Sequence, residues 1–213
     1  MYEAHPSREL TQRFAAKPFQ GAAPSLATFL FVGLDANYDR KVERSAIFND
    51  LLAYHEDGVA FWRRTGVHHP FLLANYSGDG RFYHQSFARI GFSTQHAQLV
   101  SFIELLHVPT VGRSTLAAGD LDPSHLQLVN AAITAGQAKH IFLPAGVARL
   151  MRETRAFPWL QQPRKVQDSL LPVLHAENGR TVYSHLHFSN YGKFQQRKVA
   201  EARAIARLVP VDG

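Results

Sequence analysis

The stretch FLFVGLDANYD, residues 29–39, restricts most what this chain can fold into. Phe29, Leu30, Phe31 and Val32 are apolar without alternation. A strand made from them must be covered on both faces, as in a parallel sheet held between two helical layers. The run stops at Gly33 and gives way to Leu34, Asp35, Asn37, Tyr38 and Asp39. Polar groups gathered just after a buried strand belong at the carboxyl edge of a sheet, where α/β proteins bind ligands.

The same pattern recurs downstream. LVSFIELL, residues 99–106, is a second apolar run and ends in HVPTVGR. KHIFLPAG is a shorter third, turning through Gly146 into a helix with Val147, Leu150 and Met151 inward. NGRTVYSHLHFS opens on an Asn178–Gly179 turn and alternates as a fourth strand. Helical patterns fill the gaps. Residues 41–64 carry one with a break at Asp57–Gly58, and HHPFLLANYSGDG is loop material. Asp79 is placed to cap a helix with Tyr83, Phe87 and Ile90 on one face and Gly91 at its end. Asp122 and Pro123 open a helix whose inward stripe is Leu126, Val129 and Ile133, stopped by Gly136. A closing helix from Phe194 to Val209 puts Val199, Ala202, Ala206 and Val209 on one side, with Arg203 and Arg207 on a solvated one. Residues 1–25 read as an N-terminal arm feeding the first strand. The predicted fold is a three-layer α/β/α sandwich around a short, mostly parallel, four-stranded sheet, one domain over residues 1–213.

Composition narrows the chemistry. Cys is absent from the chain, which removes disulfides, thiolate catalysis and Cys-based zinc sites, and fits a reducing compartment. The opening MYEAHPSREL has charges where a signal peptide needs apolar residues, and no apolar run reaches membrane-spanning length, so the cytoplasm is the expected location. With 23 Lys and Arg against 17 Asp and Glu, the chain suits a polyanionic partner.

Four strand ends should meet at one edge. They bring Asp35, Asn37, Tyr38 and Asp39; His107 and Thr110; Gly146; and His187, Ser189, Asn190 and Tyr191. No GxxxxGK[ST], GxGxxG or GxSxG occurs, so nucleotide hydrolysis, nicotinamide chemistry and a serine-hydrolase elbow lack support. His68–His69 and His185-x-His187 are pairs, the second with both rings on one strand face; with Asp35 or Asp39 they could form a His/carboxylate metal site. Their spacing matches no metal signature, and no metal is expected. Blander roles stay open beside the chemical ones. Asp35 can cap backbone amides, Asn37 can be a left-handed turn residue, Tyr38 can pack at the sheet edge, and His107 and His185 can be structural.

In order along the chain, GLDANYD, RFYHQSFARIGF (81–92), ELLHVPTVGR (104–113), HIFLPAGVARLM and HLHFSNYG resemble the motifs of the uracil-DNA glycosylase superfamily. The likeness is strongest to its mismatch-specific thymine/uracil branch and spans Phe29 to Gly192. The resemblance implies an enzyme that hydrolyses the N-glycosidic bond of a flipped, uracil-like base in double-stranded DNA, acting as a monomer without cofactor or metal. It assigns water activation to Asp35 and hydrogen bonding of the departing base to His187. Gly33, Leu34, Asn37, Tyr38 and His107 would line the base pocket. Thr110, Arg113, Gly146, Ser189, Asn190, Tyr191 and Lys193 would contact DNA, Tyr191 as the wedge that fills the flipped base's place. Phe48, Phe71 and Tyr76 are candidates for the stacking aromatic. Ala36 and Phe188 stand where the family has Pro, one residue is added before Tyr38, and the segment from Asp39 to Asp79 is long. An inactive relative that binds nucleic acid or a nucleobase-like ligand is the alternative, and a His/Asp metal hydrolase is a third class.

Overall fold

The computed structural model describes residues 2–112, 115–160 and 169–209. Its elements run β1 (Glu3–Ala4), α1 (Arg8–Ala16), β2 (Phe19–Gly21), β3 (Phe29–Gly33), α2 (Phe48–Glu56), α3 (Gly58–Thr65), α4 (Arg81–Ala88), β4 (Val100–Glu104), β5 (Thr110–Val111), α5 (Pro123–Thr134), β6 (His140–Pro144), α6 (Ala145–Glu153), β7 (Val173–Glu177), β8 (Arg180–His185) and α7 (Gln195–Ala206).

The apolar runs form the centre of the sheet. Strand order is β2-β4-β3-β6-β8-β7, and β4, β3, β6 and β8 are parallel. The sheet therefore has six strands rather than the expected four, and it is mixed, because β2 and β7 add antiparallel at its two edges. Neither edge strand carries an apolar run: β2 is only FQG, and β7 is half exposed along its length. Pairing, not hydrophobic patterning, makes them strands. Asn178 and Gly179 both adopt positive φ, 49° and 75°, the geometry that closes a tight β7–β8 hairpin.

The double burial of β3 divides the core. Leu30 and Val32 join Ile103, Ile141 and Leu143 from neighbouring strands under α5 and α6. Phe29 and Phe31 face the other side, with Trp62 of α3, Phe87 of α4 and Ala202 and Ile205 of α7. There the Phe31 ring stacks on Phe142 and Phe102 at 4.8 and 5.6 Å, a row of rings crossing three strands. Helices thus cover both faces, which is compatible with a three-layer arrangement. Among the described residues no helix is long and apolar enough to cross a membrane.

Local expectations fare unevenly. The break at Asp57–Gly58 is real: Asp57 ends α2 and its carboxylate accepts the Ala60 N–H at 2.9 Å to cap α3. Asp122 caps α5 likewise, through the His125 N–H at 2.7 Å. Asp79 does not cap α4; Gly80 occupies the cap with φ 84°, and no side chain closes it. Residues 2–25 are built into the fold rather than standing off as an arm. Ser7 caps α1, which buries Leu10 and Phe14, and β2 completes the sheet. The inward face of α7 holds Lys198, Glu201, Ala202 and Ile205 rather than Val199 and Ala206, and Val209 packs on the core from beyond the helix's end.

The chain leaves β3 for β4 on one side and later crosses back to β6 on the other. The carboxyl ends of β3 and β6 thus flank the point where strand order reverses, the usual position for a ligand crevice.

Candidate active site

A cavity of about 870 Å³ opens at this edge, within the size range of ligand sites. Gly33, Leu34, Asp35, Asn37, Tyr38 and Asp39 line it from the end of β3, Glu104 from the end of β4, and His187 and Ser189 from the loop after β8. Phe71, His69, Phe82, Tyr83 and His84 form the opposing wall.

Asp35 is positioned by the segment that follows β4. Leu105 and Leu106 N–H groups donate to the carbonyls of Gly33 and Leu34 at 3.0 Å, so the two chains run on together beyond the sheet. Thr110 then pairs with Asn37, and its hydroxyl donates to Asp35 Oδ2. Thr110 is fully buried, so the sequence-based role for it in touching DNA is corrected: it sits behind Asp35 and aims its carboxylate. Asn37 Nδ2 donates to Thr110 Oγ1 at 3.1 Å and to the Gly112 carbonyl. Asn37 is not in the left-handed region; among the described non-glycine residues only Arg155 and Asn178 are. Tyr38 lines the cavity but is nearly buried, its hydroxyl 2.9 Å from His55 Nε2.

Glu104 is the group that sequence reasoning missed. Its carboxyl lies in the cavity beside Gly33, its register partner on β3. Burial above all, with the nearby charge of Asp35, pushes its pKa up to about 8. At neutral pH Glu104 is therefore a protonated acid, able to donate one hydrogen bond and accept another. In the sequence Glu104 stands inside the apolar run of residues 99–106; that it ends β4 and faces Gly33 is a fact of register.

His187 lies beyond the end of β8, and its ring packs 5.4 Å from that of Tyr83. The Ser189 N–H donates to His187 Nδ1 at 3.3 Å, and the Ser189 hydroxyl also meets that nitrogen. Nδ1 is thus an acceptor, which leaves the neutral ring's proton on Nε2. Burial lowers the pKa of His187; Asp35 raises it and Lys198 lowers it. His185 does not share this face. It is buried against Phe142 and Phe188, its Nδ1–H donating to the Leu186 carbonyl at 2.7 Å, and burial pushes its pKa down to about 3.

Phe71 supplies the aromatic wall. It stacks on Tyr76 with centroids 4.6 Å apart and planes 11° from parallel; Phe48 packs on the same apolar cluster but does not line the cavity. Gly80 makes room for it: a Cβ there would fall 2.6 Å from the Phe71 ring. Within this wall His69 and His84 stack at 3.6 Å, and His84 Nδ1 lies 3.1 Å from Nε2 of the buried His68. Burial lowers the pKa of each of these three imidazoles. Among the described residues no three His, Cys, Asp or Glu side chains are grouped to share a metal ion.

The remaining expected contacts are scattered. His107 is half-buried away from the cavity, 5.9 Å from the His125 ring. Gly146 is exposed in the first turn of α6. The Asn190 N–H donates to the His187 carbonyl at 2.9 Å. Tyr191 is 79% exposed, and the Lys193 ammonium lies 5.4 Å from the Phe194 ring centroid. Arg113 lies outside the described residues. Comparison with family models, with curated proteins and with solved structures found no match.

Proposed function

We propose that the cavity takes a base flipped out of duplex DNA and that the protein hydrolyses its N-glycosidic bond. The observation that carries this reading is the convergence of Asp35, Glu104 and His187 on one cavity walled by Phe71. The resemblance of the motifs and the excess of basic residues support it.

Each group has a task in such a reaction. The Phe71 ring offers a π-face to the extruded base. As the bond from the base nitrogen to C1′ breaks, its electron pair leaves with the base and the sugar becomes cationic. Asp35, aimed by Thr110, offsets that charge and takes a proton from the attacking water, whose oxygen bonds to C1′. His187 Nε2–H donates to a base oxygen as negative charge grows there. Glu104, carrying its proton, adds a second donor and an acceptor, the pattern that pairs with an adjacent N–H and C=O on a base edge. Exposed Tyr191 and Lys193 on the following loop suit a wedge and a phosphate contact.

The test is incubation of the protein with duplexes containing uracil, hypoxanthine or a mismatched thymine, reading abasic sites by alkaline cleavage. Strand scission at one of these positions supports the reading. No scission on any duplex, with DNA still bound, would shift the assignment to a binding protein of the same shape.

A further inference from the structure

We propose that Lys198 and Glu201 of α7 are positioning residues that hold the peptide of His187 at both ends and so fix its imidazole in the cavity. Both are charged, yet they are only 5% and 3% exposed. Charged side chains are rarely buried without dedicated partners, because desolvation opposes it. Their partners here are specific. Glu201 Oε2 accepts the N–H of Leu186 at 2.8 Å, and its other oxygen accepts Arg197 Nε–H at 2.8 Å. Lys198 Nζ donates to the carbonyl of Phe188 at 3.0 Å and to Ser86 Oγ at 3.1 Å, and it lies 4.2 Å from the Phe82 ring centroid.

Leu186 and Phe188 flank His187. One backbone donor before it and one backbone acceptor after it are therefore held by two side chains three residues apart on one helix face. Strand pairing does not hold this segment, since β8 has already ended at His185; burial of Phe188 and the local bonds of Ser189 and Asn190 add to the clamp. Lys198 also reaches across to α4, whose Phe82 and Tyr83 line the cavity. The same ammonium therefore ties the wall that packs on His187 to the loop that carries it.

The arrangement also sets the charge on the ring. Burial opposes protonation of His187 most, Asp35 from the end of β3 favours it, Lys198 opposes it, and Tyr83 and His185 stand nearby as neutral groups. With the clamp in place His187 stays a neutral Nε2–H donor. That a donor is what the reaction needs rests on the glycosidic reading above; the placement itself rests only on the hydrogen bonds.

The experiment is nitrogen-15 NMR of the His187 ring in the full chain, for wild type, Lys198→Met, Glu201→Ala, Glu201→Gln and Ser86→Ala. Base excision by the same proteins is measured in single turnover. Wild type should show one Nε2–H tautomer titrating below the ordinary histidine range. Lys198→Met and Glu201→Ala should mix the tautomers, raise the midpoint and slow single-turnover excision by about 10²-fold, the scale expected when a reacting group is misplaced. Glu201→Gln, which keeps an acceptor for Leu186, should restore the single tautomer. Ser86→Ala removes one neutral partner and should give a smaller change in the same direction, which keeps the test open if the charge variants fold poorly. Unchanged tautomer and titration in folded Lys198→Met and Glu201→Ala, or in Ser86→Ala if neither folds, would overturn the proposal. Altered His187 signals with no excision by wild type would instead retain the clamp and remove the glycosidic reading.

Discussion

Gly33 and Glu104 face each other in register on β3 and β4, and a Cβ added at Gly33 would fall 1.8 Å from Glu104 Oε2. The glycine is the space into which the carboxyl of Glu104 fits. Ala at 33 must therefore swing a flexible side chain rather than move backbone. Gly33→Ala should melt close to wild type but lose the high pKa of Glu104, as followed by carbon-13 NMR of the carboxyl. A midpoint still near the wild-type value of about 8 would show that the carboxyl had not moved.

Glu104 should also mark the stability curve. Its folded pKa of about 8 lies above its ordinary value of 4.5, so the folded state holds a proton that the unfolded chain releases between those pH values. The resulting stabilisation is complete below 4.5 and is lost as the pH rises through 8. Glu104→Gln cannot lose it. Its melting temperature relative to wild type should climb from pH 5 to about pH 8 and level off above it; a constant difference would contradict the assignment.

The buried imidazoles act with the opposite sign. Burial pushes His55, His68 and His185 down to about 3 and lowers His69 and His84 as well. Unfolding lets each take up a proton below its ordinary value of 6.5, so their stabilisation is full above that pH and lost as the pH falls toward 3. Each group titrating in that window adds ~1.4 kcal/mol per pH unit to the slope. Urea unfolding at pH 7, 6, 5 and 4 should show stability falling steeply, whereas a flat profile from pH 7 to pH 5 would mean these rings are protonated in the fold.

Duplex binding should be salt-sensitive, because Lys and Arg contacts to phosphate release condensed cations. Lys193→Ala should weaken binding evenly across sequences and reduce the logarithmic salt slope by about 0.9. Fluorescence anisotropy from low to moderate salt measures both, and an unchanged slope would take Lys193 out of the interface.

The central strands were legible because Phe29–Val32 and Ile141–Leu143 are apolar without interruption and Val100–Ile103 is broken only by the buried Ser101, as a doubly covered strand requires. The edge strands were not, since β2 and β7 have ordinary composition and exist through pairing alone. Asp35 and His187 could be chosen as cavity residues because each follows the carboxyl end of a parallel strand. Glu104 ends one, but period-two alternation does not tell a cavity from a helix layer at a strand's last position. His69 and His84 come from different elements with no spacing that links them. Lys198 and Glu201 were hidden because helix faces are read by apolar stripes, and this inward face is half charged.

The most direct measurement is single-turnover release of the base from the best-cleaved duplex by wild type, Asp35→Asn and Asp35→Ala, with melting temperatures and duplex affinity as controls. If Asp35 stabilises the cationic sugar and draws the proton from water, Asp35→Ala should bind DNA and melt like wild type while release slows by about 10²–10⁴-fold. Asp35→Asn, which retains an oxygen able to orient water, should fall between the two. Release that proceeds unchanged in Asp35→Ala would contradict the account.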